Sequence, residues 1–268
     1  MENRIDQRFA ELRKSGKKGF VAYISAGDPD LNATLKLAAE LESAGVDILE
    51  LGIPFSDPLA DGVVNQSAAQ RALEAGTTLP KILEAIRIFR KTSELPIVFF
   101  TYLNPIYTYG YERFHKDAAA AGADGVLVLD MPPDEEARNQ ELHAKSSLRM
   151  IRLIAPATPP DRMESICKSA EGFIYCVSRE GVTGEQTEIA DSLGAQITAV
   201  RHHTKLPLVV GFGISTPEQA HTVATHADGV VVGSAIVRRI GEHGKDAGLV
   251  GRIGDFVRPL VAAVKSVS

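Results

Sequence analysis

The chain has 268 residues, 44% apolar and 24% charged, with a net charge of −5; this supports a sizeable core, excludes global disorder, and, with no Lys/Arg-rich run, gives no footing for a nucleic-acid or membrane-surface role. Two cysteines, Cys167 and Cys176, without a CxxC pair exclude a disulfide framework and a cysteine zinc site. No stretch nears the ~18 apolar residues of a spanning helix, and MENRIDQRFAELRKSGKKGF carries no apolar signal core, so a cytoplasmic protein is expected, or a plastid-stromal one with its transit peptide absent.

In chain order, the segment before Gly19 reads as a helix able to close the bottom of a barrel. Eight short apolar runs follow. They are GFVAYIS from Gly19, DILELGI from Asp47, PIVFFTY from Pro96, GVLVLDM from Gly125, MIRLIAP from Met150, GFIYCVS from Gly172, PLVVGFGI from Pro207 and GVVVGSAI from Gly229. Each is apolar nearly throughout, as parallel strands covered on both faces are. Amphipathic stretches such as ATLKLAAELESAG and TLPKILEAIRIFRK lie between them. One phrase recurs: SAGVDILELGIP from Ser43, AAGADGVLVLDMP from Ala120 and ATHADGVVVGSA from Ala224. Each is a helix end, a small or Gly turn, an Asp and an apolar run, the αβ half of a repeating unit. Eight alternations in this length predict a single (β/α)8 TIM barrel over residues 1–268 with an extra N-terminal helix; an open doubly wound sheet is the runner-up.

In such barrels chemistry sits at the C-terminal ends of the strands. Alternation in DILELGI sets Ile48, Glu50 and Gly52 on one face and Leu49, Leu51 and Ile53 on the other. The leucines suit the helix side, so Glu50 turns inward, where desolvation raises its pKa toward that of a general acid/base. A structural glutamate paired with a neighbour such as Arg152 is the alternative. Asp57 and Asp61 follow in SDPLADG, where turn chemistry explains Asp57, and Asp61 either shares that role or reaches over the barrel mouth. Glycine-rich turns after the last strands, SREGVTGE, GFGIS and GSAIV, suit a phosphate site or simply tight turns. Tyr175 faces inward, either offering its hydroxyl to the site or serving as a core aromatic with that hydroxyl satisfied, and Cys176 faces outward as packing. None of the seven histidines closes a predicted strand, and no lysine lies in one. A metal site and a Schiff-base lysine are therefore not expected.

Taken together, LELGIPFSDPLADG, Gln66–Gly76 of the form QxxxxRALxxG, TYLNPIYTYG, DMPPDE, YCVSREGVTG, GFGIS and GSAIV resemble the α subunit of tryptophan synthase over nearly the whole chain. The resemblance implies a barrel lyase that cleaves indole-3-glycerol phosphate to indole and glyceraldehyde 3-phosphate, with catalytic residues falling on Glu50 and Asp61. Substrate contacts fall on Tyr175, Tyr102, Phe212 and Thr183, and phosphate contacts on Gly184, Gly213, Gly233 and Ser234. Arg179 to about Leu193 looks like the family's lid. Pro54, Asp57, Pro58, Asn104 and Pro105 resemble the surface that meets a β subunit in an αββα heterotetramer. Pyridoxal phosphate belongs to that partner, and no cofactor or metal is expected in this chain. The chain departs from the family pattern in VVNQ after Gly62, with Asn65 where an apolar residue is usual, and in VFFTY, where a methionine often precedes the threonine. A stand-alone indole-3-glycerol phosphate lyase and a mainly regulatory or binding barrel are the alternatives; a sugar-phosphate isomerase barrel would want His or metal ligands at strand ends.

Overall fold

The structure, a computed structural model, describes residues 3–132, 135, 139–178, 186–211 and 213–267. The eight strands are β1 (Gly19–Ser25), β2 (Ile48–Gly52), β3 (Ile97–Thr101), β4 (Gly125–Val128), β5 (Arg149–Ile154), β6 (Ile174–Val177), β7 (Leu208–Gly211) and β8 (Gly229–Val232). All pair in parallel, in sequence order, and β1 closes on β8. The expected (β/α)8 barrel is therefore the fold. Several apolar runs overshoot their strands, because the same residues continue into the next element. In GVVVGSAI the strand stops at Val232, and Ser234 already opens a helix.

Alternation along each strand divides the core in two. Phe20, Ala22 and Ile24 of β1 and Leu49 and Leu51 of β2 face the helices, as do Cys176 of β6 and Val230 and Val232 of β8. Val21, Ile48, Val98, Leu127, Ile151, Phe173, Val209 and Val231 fill the barrel's interior. The N-terminal helix α1 (Arg4–Lys14) adds Ile5, Phe9 and Leu12 to this inner cluster, closing the bottom as expected.

The recurring phrase has a structural meaning. Asp47, Asp124 and Asp228 each stand at the head of a strand and accept a hydrogen bond from the first amides of the strand before: Phe20 N at 2.7 Å, Ile97 N at 2.8 Å and Leu208 N at 2.8 Å. Each aspartate's own N–H is returned to the carbonyl of that same residue. A cation braces each carboxylate: Lys265 on Asp47, Arg90 and Arg4 on Asp124, Arg201 on Asp228. The latch satisfies amides that the parallel ladder leaves open at its N-terminal edge.

The helices after α1 are α2 (Leu31–Ser43), α3 (Val63–Glu74), α4 (Leu79–Phe89), α5 (Leu103–Tyr109), α6 (Tyr111–Ala121), α7 (Gln140–Lys145), α8 (Pro160–Ser169), α9 (Gln186–Arg201), α10 (Pro217–Ala224), α11 (Ser234–His243) and α12 (Leu249–Lys265). The sequence reading did not single out α3, whose buried stripe is only Ala68, Ala69 and Ala72. So small a stripe leaves little amphipathic signal. Among the described residues no helix is long and apolar enough to cross a membrane.

Candidate active site

Glu50 lies where alternation puts it, in register with Tyr23 of β1 and Val98 of β3. It is 1% exposed. Its Oε1 is buried without a hydrogen-bond partner, and no ion pair with Arg152 or any other described residue reaches it. Burial alone pushes the carboxyl up to about 8, because a charge there has neither water nor a counter-ion to stabilise it. Glu50 is therefore a neutral acid at physiological pH.

A cavity of about 300 Å³ opens above it. Tyr23, Phe100 and Tyr175 form its barrel-side wall, and Gly62–Asn65, the start of α3, forms another. Tyr23 meets Phe100 edge-on, with centroids 5.1 Å apart. The two tyrosines need glycine neighbours. A Cβ at Gly52 would lie 2.4 Å from the Tyr23 hydroxyl, and one at Gly211 2.3 Å from the Tyr175 hydroxyl. Burial first, then the carboxylates of Asp61 and Glu50, push the Tyr23 hydroxyl's pKa well up; Tyr175 is raised likewise. Both stay neutral donors, and both sense the two carboxylates at once.

Asp61 immediately precedes this α3 wall. Its backbone N–H bonds the Pro58 carbonyl at 3.0 Å, which makes the turn that SDPLADG predicts. Its side chain takes no part in that turn bond and reaches Tyr102 and Asn65 instead. The Tyr102 hydroxyl accepts from Ala60 N at 3.0 Å and donates to Asp61 Oδ2 at 2.9 Å. Asn65 Nδ2 donates to Oδ1 at 3.4 Å. Burial raises the Asp61 pKa, while the Tyr102 and Asn65 bonds pull it back. Tyr102 thus reaches the site as the holder of Asp61 rather than as a cavity wall.

Across the cavity lie Gly213, Gly233 and Ser234. Gly213 has a positive φ of 72°, which only glycine adopts freely. Gly233 caps α11 and Ser234 begins it, so the first-turn N–H groups of a ten-residue helix converge there. That is a ready anion site. Arg238, one turn further on, also lines the cavity. Ser215, near Gly213, is occupied elsewhere, bonding Gln219 in the cap of α10.

Thr183, Gly184 and Phe212 lie outside the described residues, as does 179–185 of the expected lid; the rest of that stretch, from Gln186 to about Leu193, belongs to helix α9. Cys176 is core packing with its thiol pushed up to about 12 by burial, as expected. The residues expected at a partner surface lie together on one side of the mouth. Pro54, Asp57 and Pro58 lie in the β2–α3 loop, Asn104 and Pro105 lie in α5, and between them the Phe55 ring meets Tyr102 at a 39° tilt with centroids 5.5 Å apart. The same face exposes Leu59 (93%) and Tyr107 (68%). Asp57 also sits in the turn expected of it, its carbonyl accepting from Leu59 N at 2.9 Å, while its carboxylate accepts from Ser56 Oγ at 2.5 Å.

Sequence reasoning did not single out Tyr23 or Arg238, whereas Phe100, the position before Thr101 where VFFTY departs from the family pattern, does line the cavity. For Tyr23 the signal was present: the alternation that turned Glu50 inward does the same for Tyr23 in GFVAYIS.

A family model described as Tryptophan synthase alpha chain matches residues 9–253. The tryptophan synthase alpha chain of Citrifermentans bemidjiense is 49% identical over 262 residues, covering 98% of each chain. That of Opitutus terrae is 44% identical over 264 residues, covering 98% of this chain and 99% of the relative. Among solved structures, tryptophan synthase subunit alpha from Legionella pneumophila superposes with a TM-score of 0.92 at 39% identity, covering all of both chains. A chain of tryptophan synthase from M. tuberculosis superposes at 0.87 with 29% identity, covering 98% of this chain and 99% of that one.

Proposed function

This chain belongs to the tryptophan synthase alpha chain family, and from that premise we propose how its barrel mouth cleaves indole-3-glycerol phosphate to indole and glyceraldehyde 3-phosphate. The observation that carries the reading is Glu50: a neutral, unpartnered carboxylic acid in the wall of a cavity with an anion site on its far side. The phosphate sits against Gly213, Gly233 and Ser234, with Arg238 adding positive charge, and the family resemblance adds Gly184 as a further phosphate contact. The indole ring occupies the wall of Phe100, Val64 and Tyr175, with Phe212 and Thr183 as further contacts.

Glu50 gives its proton to indole C3. The ring becomes an indoleninium and serves as its own electron sink, so the steps draw on no metal, lysine iminium or cofactor in this chain. The Glu50 carboxylate left behind is poorly solvated and strongly basic, and it takes the proton of the glycerol hydroxyl. The C–C bond breaks, its electrons return to the ring, and Glu50 is protonated again. Asp61 accepts the indole N–H and stabilises the positive charge that develops there. Tyr102 keeps Asp61 in place.

A β subunit docks on the face of Pro54, Asp57, Pro58, Asn104 and Pro105, where the exposed Leu59 and Tyr107 supply apolar anchor area. The setting is the cytoplasm, and the assembly αββα. Indole release by the purified chain, with and without a β subunit, tests the activity. Glu50→Gln should abolish release while a phosphate ligand still binds. Near-normal turnover in that variant would remove Glu50 from its role.

A further inference from the structure

Asn65 carries chemistry that the proposed mechanism leaves unused. It is the third residue of α3 and part of the cavity wall. Its Nδ2 faces Asp61 Oδ1, whereas its Oδ1 is buried without a partner. The amide's orientation is fixed by chemistry: turned the other way, a carbonyl would face a carboxylate, two acceptors with no proton between them. Leaving a buried carbonyl unmatched costs stability, so the side chain sits at an unfavourable position for folding. The first turn of α3 also grips Asp61 a second time, through Gln66 Nε2 to the Asp61 carbonyl at 2.8 Å. The positive end of the helix points the same way.

We propose that Asn65 is a positioning residue for the lyase reaction: with Tyr102 on Oδ2 and Asn65 on Oδ1, the Asp61 carboxylate is clamped on both oxygens and held as an oriented anion for the substrate's N–H. The inference rests on the role given to Asp61 above. The groups that face Asp61 are Tyr102 at the head of α5, Tyr23 on β1 and Tyr175 on β6, all with raised pKa values and hence neutral. Glu50 acts on the same tyrosines, and Arg238 contributes a fixed positive charge to the cavity. Loss of the Asn65 donor therefore shows as a more weakly acidic Asp61, since among the described residues only Tyr102 and Asn65 donate to its carboxylate from side chains.

The test is the pH profile of kcat/KM for indole release in wild type, Asn65→Leu, Asn65→Asp and Asp61→Asn, with thermal midpoints for each. In Asn65→Leu the acid limb should move up by about half to one pH unit, and in Asn65→Asp further, because a second carboxylate then faces Asp61. Asn65→Leu should keep or raise the thermal midpoint, because it removes an unmatched buried carbonyl. A loss of activity equal at every pH, or an acid limb unmoved in both Asn65 variants, overturns the proposal. If the limb instead persists in Asp61→Asn, the role given to Asp61 fails. If it vanishes there but does not move in the Asn65 variants, the clamp alone fails.

Discussion

Glu50→Gln separates the energetics of the acid from its chemistry. An ordinary glutamate ionises near 4.5, and this one near 8, with burial as the cause. The sign follows from linkage. Below the unfolded pKa both states hold the proton and the buried acid costs nothing for its charge. As pH rises toward 8 the unfolded chain ionises while the folded one does not, and folding stability falls. At about 1.4 kcal/mol for each tenfold change, the loss reaches up to about 5 kcal/mol above pH ~8. The glutamine cannot ionise, so it escapes this slope. Its own buried amide adds a penalty of about 1–3 kcal/mol that does not change with pH. Urea unfolding of both proteins between about pH 5 and pH 9 should therefore show the variant gaining on wild type steadily as pH rises, whatever the offset at the acid end. Over the same range the variant should release no indole. A difference in stability that stays flat with pH would refute the reasoning, because it would mean that Glu50 is charged and stabilised in the folded state.

Tyr102→Phe removes the hydroxyl that links Ala60 N to Asp61; kcat/KM for indole release should fall about tenfold, the equivalent of one ordinary hydrogen bond, with the acid limb displaced upward. Gly211→Ala would set a Cβ 2.3 Å from the Tyr175 hydroxyl, so it should lower activity sharply. Tyr175→Phe in the same background should recover part of it, and no recovery would show that the glycine serves something other than the tyrosine. Asp124→Asn keeps the shape of the β3 latch but removes the charge that Arg90 and Arg4 share. Thermal or urea unfolding should show a loss of about 3 kcal/mol, as for a broken buried pair. Indole release at low temperature should be close to normal, since the latch lies at the far end of the barrel from the site.

Much of the fold is legible in the chain because it is written in short-range periods. Backbone pleating turns alternate residues to opposite faces, so eight apolar runs announce eight strands, and DILELGI already aims Glu50 inward. The same rule would have delivered Tyr23. The repeated aspartates mark strand heads for an equally local reason, since each must reach only the start of the neighbouring strand. α3 stayed hidden because alanines alone line its buried face.

The properties that make a site of these residues depend on through-space neighbours. Asp61 was divided between turn and mouth until Tyr102, 41 residues away, was seen to hold it. The Glu50 pKa depends on Oε1 having no cation or donor beside it among the described residues, and only the closed barrel settles that. Gly52 and Gly211 are ordinary strand glycines in the sequence; the hydroxyls of Tyr23 and Tyr175 lying across them are a matter of packing. The sequence by itself determined the barrel, the family and the inward face of β2, because periodicity and motif order are carried along the chain. Only the tertiary structure decided which carboxyl is left without a partner and which is held on both oxygens, because desolvation and hydrogen bonding act between residues that the chain keeps far apart.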